Sequence, residues 1–320
     1  MFTHPGSRVR RSLAMSLVFA TMAAGPSAQA LVFITSGDPT LNTTAPGGAL
    51  TDSGWQYQGN WGGLLGTPVG PNFFLTAKHG GGAVGNSFSY QGDSFTTTAR
   101  FNHPTADLTL WQVAGTFTSY APLYTGSDEV GKGLVVFGRS AVRGAEVNVA
   151  GASPTDLRGW LWGDSGGGTR RWGENDVDTV ATVSGAHYLV AGFSADGGVN
   201  EATLAGGDSG GGVFIQDGGI WKLAGINYAV QADFRLSANG TSFTAAIFDA
   251  GGLYGNTGAG FTLLTDDPGN MEASFFSTRV SRYVEWIEGT MAVPEPGEVA
   301  LFTGMALAGF GLFRRTRRLR

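Results

Sequence analysis

The chain of 320 residues contains no cysteine. Disulfide bonds, thiolate nucleophiles and cysteine-ligated metal sites are therefore excluded. A small secreted domain would need such cross-links, but about 260 residues between the two terminal segments are enough to bury a large core without them. This length fits one compact unit of two packed halves as well as two independent domains.

Positive charge is also scarce, with 20 Lys and Arg against 25 Asp and Glu. Eight of the basic and two of the acidic residues lie in the terminal segments described below, which leaves residues 31–290 with 12 basic and 23 acidic side chains. An acidic surface repels phosphate backbones, so the charge balance argues against a nucleic-acid partner.

Long helical patterns are missing before residue 280. Short runs rich in β-branched and aromatic residues recur instead between clusters of Gly, Pro, Asn and Asp. These runs cover residues 72–77, 94–101, 108–113, 134–137, 213–215 and 221–228. Their spacing predicts an all-β fold, either a sandwich or barrels.

One amphipathic helix is predicted late in the chain, over residues 280–287. Apolar residues recur there at i, i+3, i+4 and i+7, starting at Val280, so they share one helical face. Ser277 or Thr278 would cap this helix, and Gly289 is expected to end it.

The first 30 residues match a secretory signal peptide. They contain a basic start with three arginines, an apolar run at residues 13–24 and the small-residue cleavage site Ala-Gln-Ala at residues 28–30. We therefore expect export and a mature chain that starts at Leu31. The alternative is an uncleaved apolar anchor.

The most distinctive stretch is Gly-Gly-Asp-Ser-Gly-Gly-Gly at residues 206–212, which leads into the apolar run 213–215. A serine hydroxyl is a weak nucleophile, so it needs a base at its Oγ and amides that meet the developing oxyanion. Glycines permit the tight backbone that points such amides, here those of Gly207 and Ser209, into one hole. The alternative is a flexible glycine-rich turn before a strand.

Two other segments offer partners for Ser209. His79 follows the strand predicted at residues 72–77, and histidine titrates near neutrality, so it can take the serine proton and return it to a leaving amine. Asp107 begins an apolar strand, where its carboxylate can accept the Nδ1 proton of His79. Taken singly, His79 could be bound to backbone and Asp107 could be a turn or cap residue. Together they predict a catalytic triad.

These segments resemble the three motifs of the chymotrypsin-like (trypsin-like) serine proteases. Leu-Thr-Ala-Lys-His at residues 75–79 resembles the histidine motif, and Ala-Asp-Leu-Thr-Leu at residues 106–110 resembles the aspartate motif. Gly-Asp-Ser-Gly-Gly at residues 207–211 resembles the nucleophile motif. The helix predicted at residues 280–287 is similar to the one that closes the second barrel, so the resemblance covers about residues 54–288.

The resemblance implies an all-β fold over residues 31–290, with two packed six-stranded antiparallel β-barrels and a C-terminal α-helix. The site would lie between the barrels and hydrolyse peptide bonds through an acyl-enzyme, without a cofactor. His79 would be the base, Asp107 its orienting partner and Ser209 the nucleophile, with the amides of Gly207 and Ser209 as the oxyanion hole. The competing functions are a catalytically silent surface-binding module of the same fold and an esterase.

Specificity and activation also follow from the resemblance. Thr203, six residues before Ser209, corresponds to the base of the specificity pocket, where its lack of charge implies small or uncharged P1 side chains. Glu201 would restore a basic preference if the alignment shifts. Asp208 corresponds to a carboxylate that pairs with a new N-terminal ammonium, here that of Leu31, unless it bonds only to local amides.

Three features depart from the family pattern. Gly80 stands where many members have a cysteine, in keeping with the cysteine-free chain. Gly212 replaces the usual proline, which loosens the turn without removing an amide. Residues 231–277 form a longer region than the minimal fold needs, and the sequence assigns them no role.

A second copy of the nucleophile motif surrounds Ser165, in Gly-Asp-Ser-Gly-Gly-Gly at residues 163–168. Residues 169–174, which follow it, are polar and charged, whereas a nucleophile turn should lead into an apolar strand. Ser165 also follows Asp107 too closely to leave room for the strands that open the second barrel. We therefore expect Ser209 to be the nucleophile.

No metal site is predicted. The acidic run at residues 174–178 lacks the spacing of a calcium loop, so we expect a solvated turn. His103, before Pro104, is expected to be a loop residue and His187 to be structural, since neither has other candidate ligands nearby in the sequence.

The end of the chain carries Pro-Glu-Pro at residues 294–296, an apolar stretch at 299–313 and five arginines within 314–320. The apolar stretch falls short of the roughly 20 residues that span a bilayer, and the arginines would stay cytoplasmic. The pattern over residues 291–320 resembles the PEP-CTERM sorting signal of Gram-negative bacteria. It implies transient insertion into the inner membrane, recognition at Pro-Glu-Pro by an exosortase and removal of the tail. The mature protein would then lie in the periplasm, at the cell surface or outside. The alternative is a permanent anchor.

Overall fold

The computed structural model describes residues 31–139, 142–163, 168–266 and 271–292. The predicted signal peptide, the second serine motif around Ser165 and the predicted sorting signal from residue 293 onward lie outside these described residues. The division between the two compact units of the chain falls between Val284 and Glu285. None of the helices described is both long and apolar enough to cross a membrane.

The described part of the chain is built mainly from β-strands, with one α-helix. The strands are β1 (Val32–Phe33), β2 (Gly59–Trp61), β3 (Leu64–Gly70), β4 (Phe73–Thr76), β5 (Ser87–Tyr90), β6 (Asp93–Asn102), β7 (Thr109–Val113), β8 (Gly133–Gly138), β9 (Arg143–Asn148), β10 (Leu157–Trp162), β11 (Arg171–Asp176), β12 (Thr179–Val183), β13 (Ala186–Gly192), β14 (Ala202–Thr203), β15 (Gly212–Asp217), β16 (Ile220–Val230), β17 (Asp233–Arg235), β18 (Phe243–Ile247), β19 (Tyr254–Asn256), β20 (Phe261–Leu263) and β21 (Ser274–Arg279). The helix is α1 (Val284–Met291), and short 3₁₀ turns span Gly48–Leu50, Trp55–Tyr57, Lys78–Gly80 and Val280–Arg282.

The first half of the fold is a closed antiparallel barrel of six strands, in the order β2-β3-β4-β7-β6-β5. Alternate residues of these strands point inward and form an aromatic core. The core comprises Trp61, Phe74, Phe88, Tyr90, Trp111, Val113 and Phe117. Phe74 and Phe88 stack with their ring centroids 3.9 Å apart. Gly66 lies against both rings, because a Cβ there would come within 2.8 Å of Phe74.

The second half centres on a seven-stranded antiparallel sheet, in the order β11-β8-β15-β16-β21-β13-β12. The edge strand β11 approaches β13, the second strand from the opposite edge. Asn175 Nδ2 on β11 donates to the carbonyl oxygen of Gly192 at the end of β13 (2.7 Å). The N–H of Gly192 donates to the Asp178 carboxylate (2.5 Å). The sheet therefore curls around its own apolar core, which includes Val136 and Val213.

This sheet has one strand more than the six that the resemblance implies. The additional strand is β12, an edge strand joined to β13 by Ser184 and Gly185, with φ angles of 50° and 81°. Positive φ at both positions is typical of a two-residue type I′ hairpin, which adds a strand without disturbing the others. The predicted all-β class, with antiparallel β-sheet halves and a C-terminal helix, is confirmed.

A further six-stranded sheet, called the accessory sheet, has the order β20-β19-β17-β18-β10-β9. Residues 231–277, which had no assignment from the sequence, supply four of its strands. The other two come from residues 143–162. Arg158 on β10 is fully buried and forms ion pairs with Asp249 and Asp266. A buried guanidinium therefore ties the two segments of this sheet together.

The helix near residue 280 begins and ends later than predicted. A 3₁₀ turn spans Val280–Arg282, and the α-helix spans Val284–Met291. Ser277 and Thr278 do not cap it, because both pair with β16 as part of β21. Gly289 does not end it, because its φ is not positive and the helix continues to Met291.

Glu129 is fully buried near the end of β21. It accepts hydrogen bonds from Nε and Nη2 of Arg279 (2.8 and 2.6 Å) and from Ser281 Oγ (2.6 Å). Burial alone would raise the pKa of Glu129, but the bonds from Arg279 and Ser281 outweigh it and lower the pKa. Because the folded pKa lies below the ordinary value of 4.5, the carboxylate stabilises the fold above that pH. The contribution is lost as the pH falls through the folded pKa.

Glu129→Gln is therefore expected to lower the free energy of unfolding by about 3 kcal/mol at pH 7, because it leaves the Arg279 guanidinium buried beside a neutral amide. The difference from the wild type should shrink as the pH falls below 4.5, because the glutamate is then protonated in the unfolded chain before it is protonated in the folded protein. Urea unfolding of both proteins from pH 7 to pH 4 measures this difference. A difference that stays constant with pH would contradict the charged state of Glu129.

Candidate active site

His79 lies on the 3₁₀ turn Lys78–Gly80, directly after β4. Every residue of β4 is buried, so this strand is held firmly in the barrel wall and delivers the histidine to the rim. Lys78 Nζ donates to the carbonyl oxygen of His103 (3.1 Å). This bond ties the histidine turn to the turn that carries Asp107.

Asp107 lies in the turn between β6 and β7. Thr76 at the end of β4 pairs with Thr109 at the start of β7, so the residues just beyond these two ends are neighbours. His103 Nδ1 accepts the N–H of Ala106 (2.9 Å), which holds the turn in shape. The structure thus gives His103 a local structural role.

Ser209 lies in the glycine-rich turn between β14 and β15, residues 206–212, which is called the serine turn below. Gly210 has a φ of 79°, and a Cβ there would lie 2.3 Å from the carbonyl oxygen of Leu65. A Cβ on Gly211 would lie 2.0 Å from the carbonyl oxygen of Phe137. The turn is therefore wedged between β3 and β8, and only glycine fits at these two positions.

The side chains of His79, Asp107 and Ser209 meet at one point. His79 Nδ1 lies 2.5 Å from Asp107 Oδ2, and His79 Nε2 lies 2.7 Å from Ser209 Oγ. Asp107 Oδ1 also accepts the backbone N–H of His79 (2.8 Å), so both carboxylate oxygens hold the same residue. The His79 side chain is 42% exposed and that of Asp107 is 11% exposed. The imidazole is therefore accessible to a ligand, and the carboxylate is shielded from water.

Two tyrosines that the sequence did not single out lie beside His79. Tyr228 contacts the imidazole edge-on, with ring centroids 5.8 Å apart, and Tyr188 stacks on Tyr228 at 5.0 Å. Burial raises the pKa of Tyr188 to about 12, and burial likewise raises the pKa of Tyr228. Both phenols are therefore neutral near pH 7, and they form a flat aromatic wall next to His79.

The backbone N–H groups of Gly207 and Ser209 have no acceptor among the residues that the structure describes. Gly207 has a φ of 98°, which glycine adopts readily. By contrast, the backbone N–H of Gly210 donates to the carbonyl oxygen of Asn227 (3.0 Å). Two unoccupied amides thus lie in the turn beside the Ser209 hydroxyl, as an oxyanion hole requires.

The Asp208 carboxylate accepts backbone N–H groups from three separate segments. They come from Arg139 (2.9 Å), Ala205 (2.8 Å) and Leu31 (3.3 Å). Of these, only Ala205 is local, so the expectation of purely local bonds is wrong. Leu31 is fully buried, and the strand that follows it, β1, pairs with β14 just ahead of the serine turn.

Thr203 is buried on β14, opposite Val32. Its hydroxyl has no hydrogen-bond partner in the described part of the chain. Glu201, the alternative residue, accepts the N–H of Ser194 (3.0 Å) and lines a cavity of about 510 Å³ together with Lys132. The Glu201 carboxylate is therefore already engaged, and the residue predicted for the pocket base is uncharged.

A second cavity, of about 320 Å³, adjoins the histidine turn. Its lining includes Trp61, Leu64, Gly80 and Gly82. Asn86 and Ser87 also line it, so the cavity beside the histidine turn is of mixed polarity.

No cluster of three or more His, Asp and Glu side chains in the described ranges is arranged to hold a metal ion. The acidic run at residues 174–178 lies on β11 and the turn that follows it. Within this run, Asn175 and Asp178 both form hydrogen bonds with Gly192 on β13.

No protein-family model matches the chain, and no curated protein matches it in sequence. Among solved structures, it is similar to neuropsin, a serine protease expressed in the limbic system of mouse brain, at 15% sequence identity and a TM-score of 0.43. The match covers 75% of this chain and 96% of that chain. A similarity at this level does not bear on activity, which is inferred below from the geometry of the site.

Proposed function

We propose that the protein is a serine endopeptidase that hydrolyses peptide bonds through an acyl-enzyme. The proposal rests on one observation, the pair of hydrogen bonds that run from Asp107 through His79 to Ser209. A carboxylate at Nδ1 keeps the imidazole proton there, so Nε2 is left as the acceptor that faces the hydroxyl. This arrangement turns a weak nucleophile into an effective one.

In the acylation step, Ser209 Oγ bonds to the carbonyl carbon of the substrate while its proton moves to His79 Nε2. The N–H groups of Gly207 and Ser209 stabilise the resulting oxyanion. When the intermediate collapses, the carbon–nitrogen bond breaks and Nε2 gives its proton to the leaving amine. Water then attacks the acyl ester by the same sequence, which releases the acid and restores Ser209.

An open edge of β16 favours a peptide substrate over a small ester. The serine turn and β15 pair with one edge of β16 only as far as Asn227. Residues 228–230 continue past His79 and pair with β21 on the opposite edge. Ala229 and Val230 pair with β21 and with no second strand in the described structure, so an extended peptide would add as a strand along this side of β16. The expected preference for small or uncharged P1 residues rests on the resemblance, which would place the uncharged Thr203 at the base of the specificity pocket.

We also propose that the protein acts outside the cytoplasm. Removal of residues 1–30 would start the mature chain at Leu31, whose nitrogen lies 3.3 Å from the Asp208 carboxylate. An exosortase would recognise Pro-Glu-Pro at residues 294–296 during transient insertion of the tail in the inner membrane. The protein would then lie in the periplasm, at the cell surface or outside. The intact mass of the exported protein tests both cuts, and a mass that includes either terminal segment would contradict the corresponding cut.

Ser209→Ala is expected to lower hydrolysis of a labelled protein such as casein by about 10⁶-fold, because the nucleophile is lost. Ser165→Ala is expected to leave hydrolysis unchanged and is the matched control, since both serines lie in the same motif. The reverse result would overturn the assignment of Ser209. A parallel panel of peptide and ester substrates identifies an esterase if only esters are cleaved, and a folded protein that cleaves neither favours the silent binding module.

A further inference from the structure

Asn227 is a polar residue in the apolar, buried middle of β16. It is 0% exposed, although asparagine is depleted in strands and is mostly found at protein surfaces. Its Nδ2 donates to the carbonyl oxygens of Phe137 (2.7 Å) and Asp208 (3.1 Å). Its Oδ1 accepts the hydroxyl of Ser277 (3.2 Å). The side chain thus satisfies polar groups on three separate segments.

The carbonyl group of Asp208 belongs to the peptide group that joins Asp208 to Ser209. That peptide group is planar and trans, so its C=O and N–H bonds point in opposite directions. Any hydrogen bond that fixes the C=O therefore also fixes the direction of the Ser209 N–H. Asn227 Nδ2 makes one such bond, and the N–H of Gly211 makes a second (3.3 Å).

The main chain of Asn227 holds the same turn from the other side. Its carbonyl oxygen accepts the N–H of Gly210 (3.0 Å), and its own N–H donates to the carbonyl oxygen of Gly211 (2.9 Å). A Cβ on Gly211 would come within 2.9 Å of Asn227 Nδ2. The glycine thus allows the side-chain amide to approach the turn.

We propose that Asn227 is a positioning residue for the oxyanion hole, which directs the Ser209 N–H without touching the substrate. The inference rests on the proposed function, because the direction of this N–H affects turnover only if an oxyanion forms there. Loss of the side-chain amide should weaken stabilisation of the transition state and leave the bond between His79 and Ser209 intact. The rate constant kcat should therefore fall while KM changes little.

Asn175 provides a matched control outside the serine turn. It is also buried, and its Nδ2 also donates to two backbone carbonyl oxygens, those of Gly192 (2.7 Å) and Ala202 (3.0 Å). Asn175→Ala therefore removes two donor bonds to backbone carbonyl oxygens, as Asn227→Ala does. The Oδ1 bonds differ, because Asn175 Oδ1 accepts the N–H of Asp176 (2.7 Å) and Asn227 Oδ1 accepts the Ser277 hydroxyl. If Asn227→Ala lowers kcat only by destabilising the fold, Asn175→Ala should lower kcat as well.

The test compares wild type, Asn227→Ala and Asn175→Ala as the full exported protein. The measurements are kcat and KM on one peptide p-nitroanilide, the melting temperature, and the rate of amide hydrogen exchange across residues 206–212. Asn227→Ala should lower kcat by roughly 10²-fold, as for the loss of one oxyanion donor, with KM within about threefold. It should also speed exchange in the serine turn. Asn175→Ala should lower the melting temperature and keep kcat.

Equal kcat values for wild type and folded Asn227→Ala would overturn the inference and leave the proposed function intact. Equal losses of kcat in the two variants would also overturn it, because the effect would then follow stability. If Asn227→Ala does not fold, Asn227→Ser replaces it. The serine hydroxyl donates a single hydrogen bond, so kcat should fall by about tenfold, and an unchanged kcat would count against the inference. If the wild-type protein shows no turnover that depends on Ser209, both the proposed function and this inference are overturned.

Discussion

Asp107→Asn is expected to lower kcat by about 10⁴-fold while the protein stays folded. The reason is that the two oxygens of Asp107 have different partners. One accepts the backbone N–H of His79 (2.8 Å), and the other faces His79 Nδ1 (2.5 Å). Asparagine can keep its single oxygen toward the backbone N–H, which places its NH₂ group against Nδ1.

An NH₂ group at that position forces Nδ1 to accept a hydrogen bond, so the proton of the neutral imidazole moves to Nε2. The Nε2–H then points at Ser209 Oγ and cannot take the serine proton. Hydrolysis of a peptide p-nitroanilide, measured with the melting temperature, separates this effect from unfolding. Asp38→Asn is the control, since Asp38 is an exposed acceptor for the N–H of Thr40. A loss of less than about tenfold in Asp107→Asn would show that Asp107 does not orient a catalytic base.

A mature protein with one extra residue before Leu31 is expected to lose about 10²-fold in activity. Leu31 is fully buried, and its nitrogen lies 3.3 Å from Asp208 Oδ2. Cleavage before Leu31 would convert this nitrogen into an ammonium, and a charged pair in a buried setting is stronger than an amide bond to the same carboxylate. Retention of Ala30 would move the ammonium away from Asp208, which immediately precedes the nucleophile.

Two proteins that differ only in starting at Leu31 or at Ala30 test this prediction. Asp208→Asn in both backgrounds is the control, because it removes the charge with which the ammonium pairs. The extra residue should then have little further effect, so the two changes should be strongly non-additive. Full activity of the protein that starts at Ala30, with its mass verified, would contradict the proposed pairing.

The positions of the three site residues could be predicted because each lies next to the end of a short apolar strand. His79 follows β4, Asp107 precedes β7 and Ser209 precedes β15. Runs of β-branched and aromatic residues mark such strands in the sequence, and polar residues at their ends stand out. The apolar runs and the polar residues at their ends therefore located these three residues. Their order along the chain, His, Asp and Ser, suggested that they meet in the fold.

Asn227 and Tyr228 could not be found in this way, because their roles depend on which segments lie beside β16. Asn227 lies 19 residues from Asp208 and 90 from Phe137 along the chain. Residues 231–277 were also unassigned, since their four complete strands have only three to five residues each. Such strands are too short for a periodic pattern, and they are held by pairing with each other and with β10.

The most direct test of the central claim, that Asp107, His79 and Ser209 act as one nucleophilic unit, is labelling by a fluorophosphonate probe followed by mass mapping of the adduct. We expect one adduct, on Ser209, that is retained in Ser165→Ala and lost in Ser209→Ala and in His79→Ala. A folded wild-type protein without an adduct, or with the adduct on Ser165, would contradict this claim.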